Sequence, residues 1–139
     1  MPQPLKVYIS ARFGRREEMI GISQQIQKLG YIDLSRWLVL EEGVNPSEEV
    51  LKERAHIDRD DVYACDILIR FSDDLTTPTV PSGWCTASRF EETGMAEALG
   101  KAIIIVGGNQ SLFDRLESRL HMATVEELLL ALQLIALRR

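Results

Sequence analysis

Apolar and polar residues alternate over Leu5-Lys6-Val7-Tyr8-Ile9-Ser10, a β-branched stretch that predicts a first strand. Met19, Ile22, Ile26 and Leu29 then recur at helical spacing, which predicts a helix from Arg15 to Leu29 stopped by Gly30. Tyr31 to Leu38 is less regular and reads as a second strand, followed by a polar loop from Glu41 to Asn45. Pro46-Ser47-Glu48-Glu49 supplies the proline and acids of a first helical turn, opening a helix that runs to about Ala64. Asp66 to Phe71 predicts a third strand, Ser88 to Leu99 a helix, and Ala102 to Val106 a fourth strand. Leu112 to Leu116 predicts a short helical turn and His121-Met122 a short final strand. Thr124-Val125-Glu126-Glu127 is a capping box for a last helix, Val125 to Leu137.

Strands alternating with helices specify a parallel sheet covered on both faces by right-handed crossovers. The expectation is one α/β domain over residues 1–139. Its architecture is a Rossmann- or flavodoxin-like three-layer fold with a parallel sheet of about five strands. Ligands in such sheets bind beyond the carboxyl ends of the strands, at the topological switch point. The informative loops are therefore Ser10 to Arg16, Ser72 to Ser88 and Gly107 to Ser111. The second is too long for a simple turn and marks a functional loop.

Composition adds exclusions. A net charge of −5 argues against binding bulk nucleic acid by phosphate neutralisation, though not against one small anion held by local donors. No apolar run reaches the roughly 18 residues of a membrane span. The N-terminus has no basic segment leading into an apolar stretch, so a cytoplasmic protein without a signal peptide is expected. Cys65 and Cys85 lack metal-type spacing and read as free thiols in a reducing compartment. The last helix is apolar on more than its sheet-facing stripe, from Val125 through Leu137, which predicts burial of a second face in a homodimer or higher homo-oligomer.

The candidate chemistry concentrates at a few places. Glu91 and Glu92 fall near the start of the helix before Gly94, where the positive end of a helix dipole would keep a carboxylate ionised. Ser10-Ala11-Arg12-Phe13-Gly14-Arg15-Arg16 offers a hydroxyl, backbone amides and guanidinium groups that could hold a phosphate or a sugar; equally, its arginines could lie in solvent. Asp58 and Asp61 share a helical face and Asp60 points elsewhere; Asp60 and Asp61 read as solvated charge. Trp84, in the long loop, is a better stacking platform than Trp37, which reads as packing. His56 and His121 have no partner spacing for a metal or a triad, and no nucleophile elbow, Walker-type loop or metal cluster is present.

Several segments together resemble the nucleoside 2-deoxyribosyltransferase superfamily, in particular its small bacterial and phage-type members. They are Ala11-Arg12-Phe13, Ser35-Arg36-Trp37, Cys65-Asp66-Ile67-Leu68-Ile69, and Arg89 to Lys101 leading into Val106-Gly107. Their order and spacing cover nearly the whole chain. The resemblance implies that Glu92, two positions before Gly94, is the nucleophile that attacks the anomeric carbon, and that Asp58 orients it and handles protons at the base. It implies substrate contacts from Ser10, Arg12, Phe13, Arg15, Trp84, Thr86, Ser88 and Arg89, with no cofactor and no metal. The expected activity is transfer of a deoxyribosyl group between bases. The alternatives are hydrolysis of a nucleoside 5′-monophosphate to free base, or a non-catalytic nucleotide-binding module. Ala87-Ser88 stands where small members usually carry two glycines. Thr86 stands where some transferases carry an acid and related nucleotide hydrolases carry phosphate-binding hydroxyls.

Overall fold

The computed structural model describes residues 2–41, 43, 45–73 and 87–139. Helices and strands alternate along them: β1 (Lys6–Ser10), α1 (Arg16–Lys28), β2 (Ile32–Asp33), α2 (Glu48–Ala64), β3 (Ile67–Phe71), α3 (Ser88–Ala98), β4 (Ala102–Val106), β5 (Arg119–Met122) and α4 (Val125–Leu137). Short 3-10 turns lie at Phe13–Arg15, Arg36–Leu38 and Leu112–Arg115. All strand pairs are parallel and the order is β2-β1-β3-β4-β5, the flavodoxin-like arrangement with its switch point between β1 and β3.

The strands are apolar on both sides because helices cover both faces. On one face Val7, Ile9, Ile67, Ile69, Phe71, Ile104 and Val106 pack against Met19, Ile22 and Ile26 of α1 and Leu128 and Leu132 of α4. On the other, Tyr8, Leu68, Ile103 and Ile105 meet Val62 of α2, Cys65 and Ala96 of α3. Burial pushes the Cys65 thiol up to about 11, so it behaves as a packed apolar group. The second face breaks its apolar pattern where β1 and β3 end. Ser10 and Arg70 lie in register there, both fully buried.

The expected strand over Tyr31 to Leu38 is only two residues long, and the chain turns 3-10 at Arg36–Leu38. Side chains take over the ladder. Asp33 accepts a hydrogen bond from the Ser35 backbone N–H at 2.8 Å, and the Ile9 N–H donates to Ser35 Oγ at 2.6 Å. The final strand is longer than its two predicted residues. Elsewhere the predicted boundaries match the observed ones closely, and Ser47 caps α2 by accepting from Val50 N–H at 3.3 Å. Among the described residues, no helix is long and apolar enough to cross a membrane.

A buried ionic network fixes the loops at the carboxyl edge. Asp114, fully buried, accepts from Arg70 at 2.5 Å and Arg119 at 2.9 Å, and from the backbone N–H groups of Gln110 (2.8 Å) and Ser111 (3.0 Å). Burial alone would raise its pKa; these bonds win and bring it down to about 2. Gly107 adopts φ +108° at the end of β4, and a Cβ there would stand 3.0 Å from Ser72 Cβ, so the loops after β3 and β4 can close together only over glycine.

Candidate active site

Tyr8 and Ser10 are two residues apart on β1 and so project to the same face, under α3. α3 lays Glu92 onto them. The Tyr8 hydroxyl donates to Glu92 Oε2, and the Ser10 hydroxyl donates to Oε1 at 2.8 Å. Each carboxylate oxygen is thus held by a side chain that the strand core immobilises. Glu91, one residue earlier, is exposed and lines a cavity of about 550 Å3 with Phe90, Gly94, Glu97, Ala98 and Phe113. The two neighbouring acids therefore serve different surroundings.

Glu92 is the fifth residue of α3, and Glu91 is the acid of the first turn. The expectation that the helix dipole would keep Glu92 ionised is corrected here. Burial pushes its pKa up to about 7, opposed by the Tyr8 and Ser10 hydrogen bonds and reinforced by the charges of Asp58 and Glu91. Desolvation outweighs a dipole that is felt chiefly within the first turn. Tyr8 is raised well above its ordinary value by burial, then by Glu92 and Asp58, and stays a donor. Asp58, partly buried late in α2, is therefore close enough to act electrostatically on both groups.

The neighbouring acids divide as helical geometry requires. Asp60 is exposed and pairs with Arg59 at 3.1 Å. Asp61, expected to be solvated charge, is instead only 6% exposed and ion-paired to Arg36 at 2.8 Å. It anchors the 3-10 turn that carries Trp37, whose indole N–H donates to the Ile9 carbonyl at 2.8 Å, a packing role as expected.

A cluster of arginines begins one turn along α3 from Glu92, at Arg89. Arg89, buried one turn earlier on α3, pairs with Asp73 at 3.0 Å; Arg12 stands 3.8 Å from the same carboxylate. Arg15 donates to the Ser72 carbonyl at 2.9 Å and pairs with Glu18, also at 2.9 Å. Burial lowers the pKa of Arg89; Asp73 opposes this, and Arg70, Arg12 and Arg15 lower it further. Four guanidinium groups thus crowd one edge of a chain whose net charge is −5. These arginines are engaged with protein groups rather than lying loose in solvent. Phe13 is 43% exposed with its ring 6.3 Å from Trp37, and Ser88 opens α3 exposed. Trp84, Thr86 and Cys85 lie outside the described residues, as does most of the long loop. Among the described residues no group of three His, Cys, Asp or Glu side chains could hold a metal ion. Tyr8, Asp73 and Gln110 were not anticipated as site residues. The two-residue spacing of Tyr8 from Ser10 on a predicted strand was the available signal for the first.

No family model and no curated protein matches the sequence. Solved structures do match. The CMP N-glycosidase BcmB of Clostridium botulinum is 19% identical with a TM-score of 0.61, over 93% of this chain and 98% of its own. A 2-deoxyribosyltransferase of Bacillus psychrosaccharolyticus is 20% identical with a TM-score of 0.64, over 88% and 89%. A conserved protein of Enterococcus faecalis V583 is 17% identical with a TM-score of 0.66, over 95% and 99%. This chain shares its fold with a CMP N-glycosidase and a 2-deoxyribosyltransferase. A response regulator receiver domain of Bacillus halodurans also matches, at 14% identity and a TM-score of 0.52, so the scaffold serves other tasks as well.

Proposed function

We propose that this protein cleaves the N-glycosidic bond of a nucleoside or nucleotide, with Glu92 as the nucleophile. The observation that carries the reading is the Glu92 carboxyl group held on both oxygens by Tyr8 and Ser10, and pushed to about pH 7 by burial and by Asp58. A glycosidic bond breaks through an oxocarbenium-like transition state that a carboxylate on one face stabilises. Glu92 forms the new bond to the anomeric carbon as the carbon–nitrogen bond breaks. The electron pair leaves with the base, and the proton that neutralises it comes from solvent water and is relayed through Asp58. Water on the glycosyl-enzyme then gives hydrolysis; a second base gives transfer. Tyr8 and Ser10 keep the nucleophile in one rotamer and give up none of their own packing, which is preorganisation rather than acid catalysis.

Transfer of a deoxyribosyl group stands first on sequence. The arginine rim favours a 5′-phosphorylated substrate. Arg89 lies one turn from Glu92 on α3 and shares Asp73 with Arg12, and this reading assigns the 5′ substituent of the pentose to those two arginines, whose planar forks suit a phosphomonoester. Incubating the protein with nucleosides and with 5′-monophosphates, and separating free base by chromatography, tests both readings. Base released from monophosphates, with Glu92→Gln inactive, supports the second. Base exchange between unphosphorylated deoxynucleosides supports the first. A fully active Glu92→Gln variant would sink the nucleophile assignment in either case.

A further inference from the structure

Asp73 is a charged residue that the reaction does not require. It follows β3 at the carboxyl edge, and its carboxylate faces Arg89 at 3.0 Å and Arg12 at the looser distance of 3.8 Å. The residue is positioned rather than dangling. The Gln110 side chain grips its backbone on both sides: the Asp73 N–H donates to Gln110 Oε1 at 3.0 Å, and Gln110 Nε2 donates to the Asp73 carbonyl at 3.2 Å. Gln110 is fixed in turn, because its own N–H donates to buried Asp114. The whole chain Asp114–Gln110–Asp73 therefore holds one carboxylate against two arginines.

That carboxylate and its two arginines are all largely withdrawn from solvent. The Asp73 side chain is 17% exposed, against 14% for Arg12 and 7% for Arg89. An anion that binds Arg12 and Arg89 must take the guanidinium groups from Asp73. From this geometry we infer that Asp73 is an internal counter-ion that competes with an anionic substituent of the ligand for Arg12 and Arg89. It screens the buried guanidinium groups, and it weakens every phosphomonoester by the cost of breaking these pairs. Selection follows, because only a ligand whose anion out-competes a tethered carboxylate is held. A phosphomonoester, with up to two charges and three acceptor oxygens, does this; a carboxylate ligand does not. The inference rests on the phosphomonoester reading above for where the sugar lies, but the competition itself is readable without turnover.

The test is isothermal titration of the full chain and its Asp73→Asn variant with inorganic phosphate and with ribose 5-phosphate, at low and at physiological salt. Asp73→Asn keeps the shape and removes the charge. It should bind both anions about tenfold more tightly, the direction and rough size expected for removing one like charge a few ångströms from the bound anion. Asp73→Ala should shift affinity the same way, and the gain should shrink as salt rises. Equal or weaker phosphate binding by both variants, with melting temperatures showing them folded, would overturn the inference. So would a loss of affinity for an unphosphorylated nucleoside in Asp73→Asn without a gain for phosphate, which would make Asp73 an acceptor for a sugar hydroxyl. If the variants bind phosphate more tightly but no nucleotide yields free base, the counter-ion stands and the N-glycosidase reading falls.

Discussion

Replacing Ser10 by alanine removes one hydroxyl donor from Glu92 and leaves the Tyr8 contact in place. The hydrogen bond is 2.8 Å long, its donor is fully buried, and its acceptor is charged in the active form. Such a bond contributes about 1.5–3 kcal/mol. At 1.36 kcal/mol for each pKa step, its loss moves the Glu92 carboxyl up by about one to two. The sign is fixed: the hydroxyl donates to the carboxylate, so removing it favours the protonated form. Glu92 begins at about 7 and, as the proposed nucleophile, must be ionised to attack, so wild-type kcat/KM should fall below that pH. With the pKa moved to about 8–9, Ser10→Ala should lose roughly 5- to 50-fold in kcat/KM at pH 7 and nearly nothing at pH 10. The assay is free-base release followed across pH 6–10. A loss of the same size at every pH would refute the reasoning, and would return Ser10 to the substrate contact that the sequence suggested.

Other consequences are equally open to measurement. Glu91→Ala should retain most activity while Glu92→Ala loses nearly all, because the two side chains face different sides of α3; steady-state assays with circular dichroism as a folding check decide it. Asp114→Ala should cost about 3–5 kcal/mol in urea unfolding, since it leaves buried Arg70 without its counter-ion. The same pairing lowers Asp114 to about 2, so its contribution is complete above the ordinary aspartate value near 3.9 and disappears as pH falls from there toward 2. α4 exposes Leu130, Leu134 and Leu137 at helical spacing, 56%, 52% and 75% exposed, so sedimentation should show a homodimer or larger, and Leu130→Glu with Leu134→Glu should give monomers. Wild-type sedimentation as a monomer would remove that proposal.

The sequence carried the order of elements because strands covered on two faces are continuous apolar runs, as in Ala102 to Val106, and helices show a stripe, as in Met19, Ile22 and Ile26. It misread the second strand because Ser35 and Asp33 satisfy the backbone with side chains, an option that residue patterning does not reveal. Glu92 and Asp58 are put forward by a resemblance in spacing. The electrostatics of Glu92 were not: a position near a helix start suggests a stabilised anion, but burial against Tyr8 sets the balance, and burial is a property of the assembled core. Asp61 failed for the same reason, since its partner Arg36 is 25 residues away and meets it only after folding. Asp73 carries no signal of its own in the sequence, and acquires its meaning from Arg12 and Arg89, brought in from two other elements.

The central claim is that Glu92 itself bonds to the sugar. Rapid acid quench of the protein with a reactive nucleotide or deoxynucleoside, followed by proteolysis and peptide mass spectrometry, measures this directly. The account predicts a peptide spanning Glu92 that is heavier by one glycosyl residue, with fragmentation placing the mass on Glu92, and no adduct in Glu92→Gln. An adduct on Glu91 or Asp58, or undiminished base release by Glu92→Gln, would contradict it.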